Sequence, residues 1–235
     1  MIEVAGLSVE LVRKPIKNLH VGVYPPAGRV RVAAPPAVSE DAVRLAIVTR
    51  LGWIKKKQRE FAGQARETER RCVSGETHYF LGKPLRLSVR FTGTRGCKIS
   101  MGGSDRLVMT VAEDATSEDR MRCLAAWYRN QLKLRVAPRV GSWSERLDVQ
   151  VPQWGVRQMR TKWGSCNPDK HLIWVNLELA KKPLQCLDYV ILHEMAHFLS
   201  RRHNDLFIAT LDRHMPGWRQ VRADLNALPL MADAG

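Results

Sequence analysis

Leu184-Gln185-Cys186-Leu187-Asp188-Tyr189-Val190-Ile191-Leu192-His193-Glu194-Met195-Ala196-His197-Phe198-Leu199 is the stretch from which the rest of the chain can be read. Its length and apolar content predict one helix, with Pro183 placed where a helix can begin. Within it, His193 and His197 stand four residues apart, so both imidazoles leave the same face and can reach a single metal ion. Glu194 lies beside them. The helix is apolar on nearly every side, which predicts burial. Buried imidazoles and a carboxylate without partners would cost several kcal/mol, whereas a divalent cation satisfies them together. Two core histidines bonded to backbone carbonyls are the weaker alternative.

A catalytic zinc site needs a third protein ligand and keeps a position for water. No Glu follows Glu194 in the chain, so that ligand must be another residue type. His203 lies six residues past His197, too far along a continuous helix but reachable if the helix stops near Ser200 to Arg202 and the chain turns back. The polar run Ser200-Arg201-Arg202-His203-Asn204-Asp205 is where such an end would fall. His214 is the runner-up, and Asp205 and Asp212 are weaker. With Zn2+ to acidify the attacking water, Glu194 becomes the candidate general base and then acid. Tyr189, Arg160 and His214 are candidate second donors to a developing oxyanion.

Upstream of the helix, Val156 to Arg160 and Leu172 to Leu177 read as strands joined by the turn-rich segment Thr161 to Asp169. Downstream, a helix is expected from about Asp205 to Leu228, interrupted at Met215-Pro216-Gly217. The first 36 residues alternate β-branched runs (Ser8 to Val12, Leu19 to Tyr24, Arg29 to Ala33) with prolines and glycines, and predict an antiparallel meander. Ser39 caps a helix that should run to about Arg71. The runs His78 to Leu81, Leu85 to Phe91, Cys97 to Ser100 and Leu107 to Val111 suggest a second set of strands. A second long helix follows Ser117, with Met121, Leu124, Ala125, Tyr128 and Leu132 as its apolar stripe. No repeat period is evident. The expectation is an α+β protein: residues 1–116 as an N-terminal antiparallel β region with one long helix, and residues 117–235 as a catalytic core built round the active-site helix, with one continuous unit as the alternative.

The chain has 235 residues, 45% of them apolar, enough for one good core or two small ones. The segment Met1 to Val12 does not read as a signal peptide, and no window approaches a membrane span, so the expectation is a cytoplasmic protein without membrane contact. Five cysteines without a Cys-x-x-Cys pair argue against a disulfide framework or a thiolate zinc site, and are expected reduced. The net charge of +15 divides almost evenly between the halves and is densest from Arg120 to Lys162. Such a surface can attract nucleic acid or an acidic protein, although no nucleic-acid-binding motif accompanies it.

His193-Glu194-Met195-Ala196-His197 with His203 and Phe207, preceded by Asp188-Tyr189-Val190 and Thr161-Lys162-Trp163-Gly164-Ser165-Cys166, resembles the YgjP-like metallopeptidase family. Gly28-Arg29-Val30-Arg31-Val32, Ala34-Pro35, Trp53-Ile54 and Leu81-Gly82-Lys83 extend the likeness across the chain. Met195 and Ile208 depart from it, where the family commonly has Leu and an aromatic. The resemblance implies a zincin core related to the SprT and WLM peptidases, with His193, His197 and His203 as ligands and Glu194 as base. It also implies that Trp174-Val175-Asn176-Leu177 borders the cleft and pairs with an extended peptide. Trp174, Asn176, Arg160 and Tyr189 are the residues expected to touch a peptide or protein substrate. Relatives linked to proteolysis of DNA-bound proteins, and others described as nucleotide pyrophosphatases, supply the alternative activities.

Overall fold

The structure is a computed structural model that describes residues 1–24, 27–63 and 71–227. The chain divides into two compact units, residues 1–68 and residues 69–228. Among the described residues, three small mixed sheets and six α-helices give a mixed α/β protein.

The first unit contains β1 (Ile2–Val4), β2 (Leu7–Arg13), β3 (His20–Tyr24) and β4 (Arg29–Ala34) in the order β1-β2-β4-β3. It is not the antiparallel meander expected. β4 inserts between β2 and β3, so β2 and β4 run parallel while the other pairs are antiparallel. Alternation of apolar residues encodes which face of a strand is buried but not which strand lies next to it. Val9, Val30, Val32 and Ala34 point into a core completed by Val43, Ile47 and Ile54. The single helix expected after Ser39 is two, α1 (Glu40–Val48) and α2 (Leu51–Gly63). Its expected continuation over residues 64–70 lies outside the described residues.

The second unit opens with β5 (Thr77–Phe80), β6 (Lys83–Thr92), β7 (Cys97–Met101) and β8 (Arg106–Ala112), ordered β5-β6-β8-β7. This repeats the topology of the first sheet, including its parallel second pair. Both sheets begin with a two-residue hairpin turn at positive φ, Ala5-Gly6 at 51° and 75° and Leu81-Gly82 at 51° and 81°, as a type I′ turn requires. Both are followed by a helix entered through Ser-Glu-Asp, at Ser39-Glu40-Asp41 and Ser117-Glu118-Asp119. The repetition is carried by strand order and turn chemistry, so sequence periodicity does not expose it.

α3 (Ser117–Leu147) starts with a capping box between Thr116 and Asp119 and buries Leu124, Tyr128, Leu132, Val136, Val140, Trp143 and Leu147. That stripe continues beyond Leu132, where the sequence reading stopped. Met121 is exposed instead. Much of the basic segment is engaged here: Arg120 donates to the carbonyls of Cys72 and Ala115, Arg122 pairs with Glu118 and Asp119, and Arg135 lies over Phe80.

A third sheet, β9 (Gln153–Arg157), β10 (Gly164–Asn167) and β11 (Leu172–Asn176), has the order β10-β11-β9. β10 falls in the segment read as a turn. Gly, Ser, Cys and Asn carry neither alternation nor strand propensity, and pairing with β11 holds them extended. α4 (Leu184–Leu199), α5 (Asp205–His214) and α6 (Trp218–Ala227) follow at the expected places. The second sheet, α3, the third sheet and α4 share one apolar core, so the unit that holds the motif begins well before residue 117.

Cys97 on β7 and Cys123 on α3 are joined by a disulfide with Cα atoms 6.2 Å apart, contrary to the expectation of thiols throughout. Residues 26 apart in sequence meet only because β7 and α3 pack together. Cys72, Cys166 and Cys186 are outside any disulfide. Among the described residues, no helix is long and apolar enough to cross a membrane.

Candidate active site

α4 buries most of its apolar residues, and His193, Glu194 and His197 lie together in its C-terminal half. His193 and His197 leave one face, their rings 5.2 Å apart between centroids. The helix ends at Ser200, whose φ of −147° is extended. The Ser200 hydroxyl donates toward the Arg202 carbonyl and the Asn204 side chain, and Asn204 in turn caps α5 by accepting from Phe207 N–H. This tight reversal carries His203 back over the helix end. Its ring centroid lies 5.0 Å from those of both His193 and His197. The candidate ligand atoms of the three imidazoles all lie within 4.8 Å of one another. Phe207, 1% exposed, packs its ring against all three from below.

Donor chemistry fits a divalent metal. Burial, with the neighbouring His197, His203 and Arg222, holds His193 down at about 4, so its ring stays neutral with a lone pair available. His197 is also lowered by burial, and its Nδ1 lies 3.2 Å from the Ser200 carbonyl. A proton on Nδ1 donated there leaves Nε2 free as a ligand. Tyr189 Oη sits 3.4 Å from His193 Nδ1 and its ring stacks on Trp218, so Tyr189 orients a histidine.

Glu194 is 7% exposed. Burial pushes its carboxyl up to about 7, against the pull of the Lys162 charge and of a hydrogen bond from the Cys166 backbone N–H. Gly164 makes room for it: a Cβ there would meet Glu194 Oε1 at 2.7 Å, Glu194 Cγ at 2.8 Å and Val190 Cγ1 at 2.9 Å. β10 has one partner strand, β11. Asn176 N–H donates to the Trp163 carbonyl at 2.9 Å, which fixes the alternation of the antiparallel ladder. By that alternation the backbone polar groups of Gly164 and Cys166 turn away from β11. The three histidines, Glu194 and the β10 edge line one cavity of about 530 Å³.

Of the four residues expected to touch substrate, only Tyr189 lines this cavity. β11 is the central strand of its sheet, so it is β10 and not Trp174 to Leu177 that borders the cleft. Trp174 covers Gly155, where a Cβ would meet its ring at 2.3 Å, and Arg157 lies over it. Arg160 is exposed outside the cavity. Asn176 is fully buried, donating to the carbonyls of Met159 and Lys162 and accepting from the N–H groups of Met159 and Glu178. Asn176→Leu strands these four backbone groups, and a loss of about 3 kcal/mol or more in urea unfolding is expected.

The other candidate ligands lie elsewhere. His214 meets Trp143 edge-on, and Asp212 binds Arg219 and the Trp218 indole. Gly164, Cys166 and Phe207 enter the sequence analysis only through the family resemblance, Lys162 through that and as the end of the basic segment, and Arg222 does not stand out, being one of two exposed basic positions on α6. A glycine wedged between Trp163 and Ser165 ahead of a buried helix was the one available hint.

A family model described as YgjP-like, metallopeptidase domain, matches residues 18–228. No curated protein matches the chain. Among solved structures, the chain is similar to the metallopeptidase zymogen of Pyrococcus abyssi abylysin at 16% identity, over 38% of this chain and 90% of that one, with a TM-score of 0.36.

Proposed function

The chain belongs to the YgjP-like metallopeptidase family, and from that premise we propose that it is a zinc-dependent peptidase in which His193, His197 and His203 hold the metal and Glu194 is the general base. One observation carries this reading: three convergent imidazoles and a buried carboxyl open into the same cavity, beside the edge of a strand. Bound there, zinc would supply the Lewis acidity that acidifies water and polarises the scissile carbonyl.

The remaining steps belong to the chain. The backbone N–H and C=O of Gly164 and the C=O of Cys166 on β10 are placed to pair with an extended peptide and align its scissile bond over Glu194, while the Cys166 N–H is held by Glu194. Glu194, with a pKa of about 7, takes a proton from the attacking water on a carboxylate oxygen and returns it to the departing amine nitrogen. The Cys166 N–H and Lys162 keep the anionic form of Glu194 accessible after burial has raised its pKa. Tyr189 holds the His193 ring in register, and Phe207 supports all three rings.

A second reading, phosphoanhydride hydrolysis of nucleotides, draws on Lys162, Arg201 and Arg222 around the same cavity. Both are tested by incubating zinc-loaded and chelator-treated protein with a peptide pool and a nucleotide panel. Zinc-dependent appearance of new peptide termini is the expected result. Zinc-dependent phosphate release without peptide cleavage hands the site to the second reading, and no zinc-dependent turnover of either substrate removes both.

A further inference from the structure

The charged residues around the cavity are unequal in sign. Lys162, Arg201 and Arg222 line it with Glu194 as the carboxylate among them. Arg201 is engaged, pairing with Asp169. Among the described residues, neither Lys162 nor Arg222 makes an ion pair. Lys162 reaches the site from the segment before β10, where its charge acts on Glu194. Arg222 reaches it from α6, where its charge acts on His193 and Tyr189. Val190 and Leu225 give the cavity an apolar wall, and at its exposed edge the Arg222 guanidinium, without an ion pair among the described residues, is open to an incoming anion.

Resting on the peptidase reading, we propose that Arg222 recognises a carboxylate on the substrate, so that the enzyme prefers peptides presenting an acidic side chain or a chain terminus near the cleaved bond. A planar guanidinium takes a carboxylate through two parallel hydrogen bonds, which suits Arg222 to reading the group. Lys162 adds positive potential, which acts on Glu194.

Binding is measured apart from cleavage, on zinc-loaded Glu194→Gln protein, by fluorescence anisotropy with labelled peptides matched except for a central Glu, Gln or Lys. Each peptide is made with a free and an amidated C-terminus. The Glu or the free-acid peptide is expected to bind about tenfold more tightly than its neutral counterpart, with the Lys peptide weakest. The arm that shows the effect identifies the side chain or the terminus as the source. In the Arg222→Gln background the ratio should collapse to near one, and Arg222→Lys should keep part of it. Arg222 is exposed, and thermal melting verifies that its variants fold.

Equal binding of charged and neutral peptides, or a preference that survives Arg222→Gln, overturns the proposal. Wild-type protein incubated with the same peptides separates the two failures. Cleavage without charge preference keeps the peptidase and removes the carboxylate site. Arg222-dependent binding with no cleavage keeps the carboxylate site and removes the peptidase.

Discussion

Glu194→Gln is expected to lower kcat/KM by about 10² to 10⁴ while zinc content is unchanged, the scale of loss when a general acid-base group is removed. Glutamine keeps the shape of the side chain, whose space is set by Gly164 and Val190, but it cannot accept the proton of the attacking water. The same change should stabilise the metal-free protein at high pH. The folded carboxyl titrates at about 7 against an ordinary 4.5. Between those values the folded chain holds a proton that the unfolded chain has released, so stability falls as pH rises through the window and stays low above it. Metal-free Glu194→Gln should therefore exceed wild type by about 1 to 3 kcal/mol at pH 8, with the gap closing below pH 4.5. Urea unfolding at pH 4.5 and pH 8 checks this. A wild type as stable as the variant at pH 8 would mean that the carboxyl is not buried without a full complement of partners.

Gly164→Val should be the most damaging substitution outside the charged and ligating groups. Its first side-chain carbon falls 2.7 Å from Glu194 Oε1 and 2.9 Å from Val190 Cγ1, well inside contact distance. Val190 is fixed in the buried interior of α4, so either Glu194 leaves its position or β10 moves away from the helix. The first misplaces the proposed base and the second moves the edge on which a peptide would be aligned, so a rate loss of about 10² or more is expected from either. Overpacking should also lower stability by about 1 to 3 kcal/mol. Gly164→Ala should show both effects in smaller measure. Rates and melting curves on the two variants provide the check, and a folded Gly164→Ala enzyme with unchanged kcat/KM would show that the Glu194 position described here is not the active one.

The residues that proved legible in sequence are those whose spacing is their message. His193 and His197 declare a shared face, and the polar run after Leu199 declares a helix end from which His203 could return. α4 matches its expected limits because Pro183 and Ser200 bracket a mostly apolar run. What escaped the reading depends on neighbours distant in sequence. Strand direction was lost because Val30 and Val32 are buried in the same way whether β4 lies beside β2 or not. β10 was lost because its extended form comes from pairing with β11. Asn176 looked like a cleft residue, yet its four backbone hydrogen bonds show that it braces the segment carrying Lys162. The Cys97 and Cys123 pair depended on the packing of β7 against α3.

Three histidines from α4 and the turn beyond it are proposed to hold one catalytic metal ion, and counting zinc tests this most directly. Wild-type protein loaded with zinc, dialysed against buffer and assayed by mass spectrometry should retain about one zinc per chain. His203→Ala, confirmed as folded by its melting curve, should retain little. A wild-type protein that keeps no zinc, or a His203→Ala protein that keeps as much as wild type, would contradict the assignment of His193, His197 and His203 as the metal site.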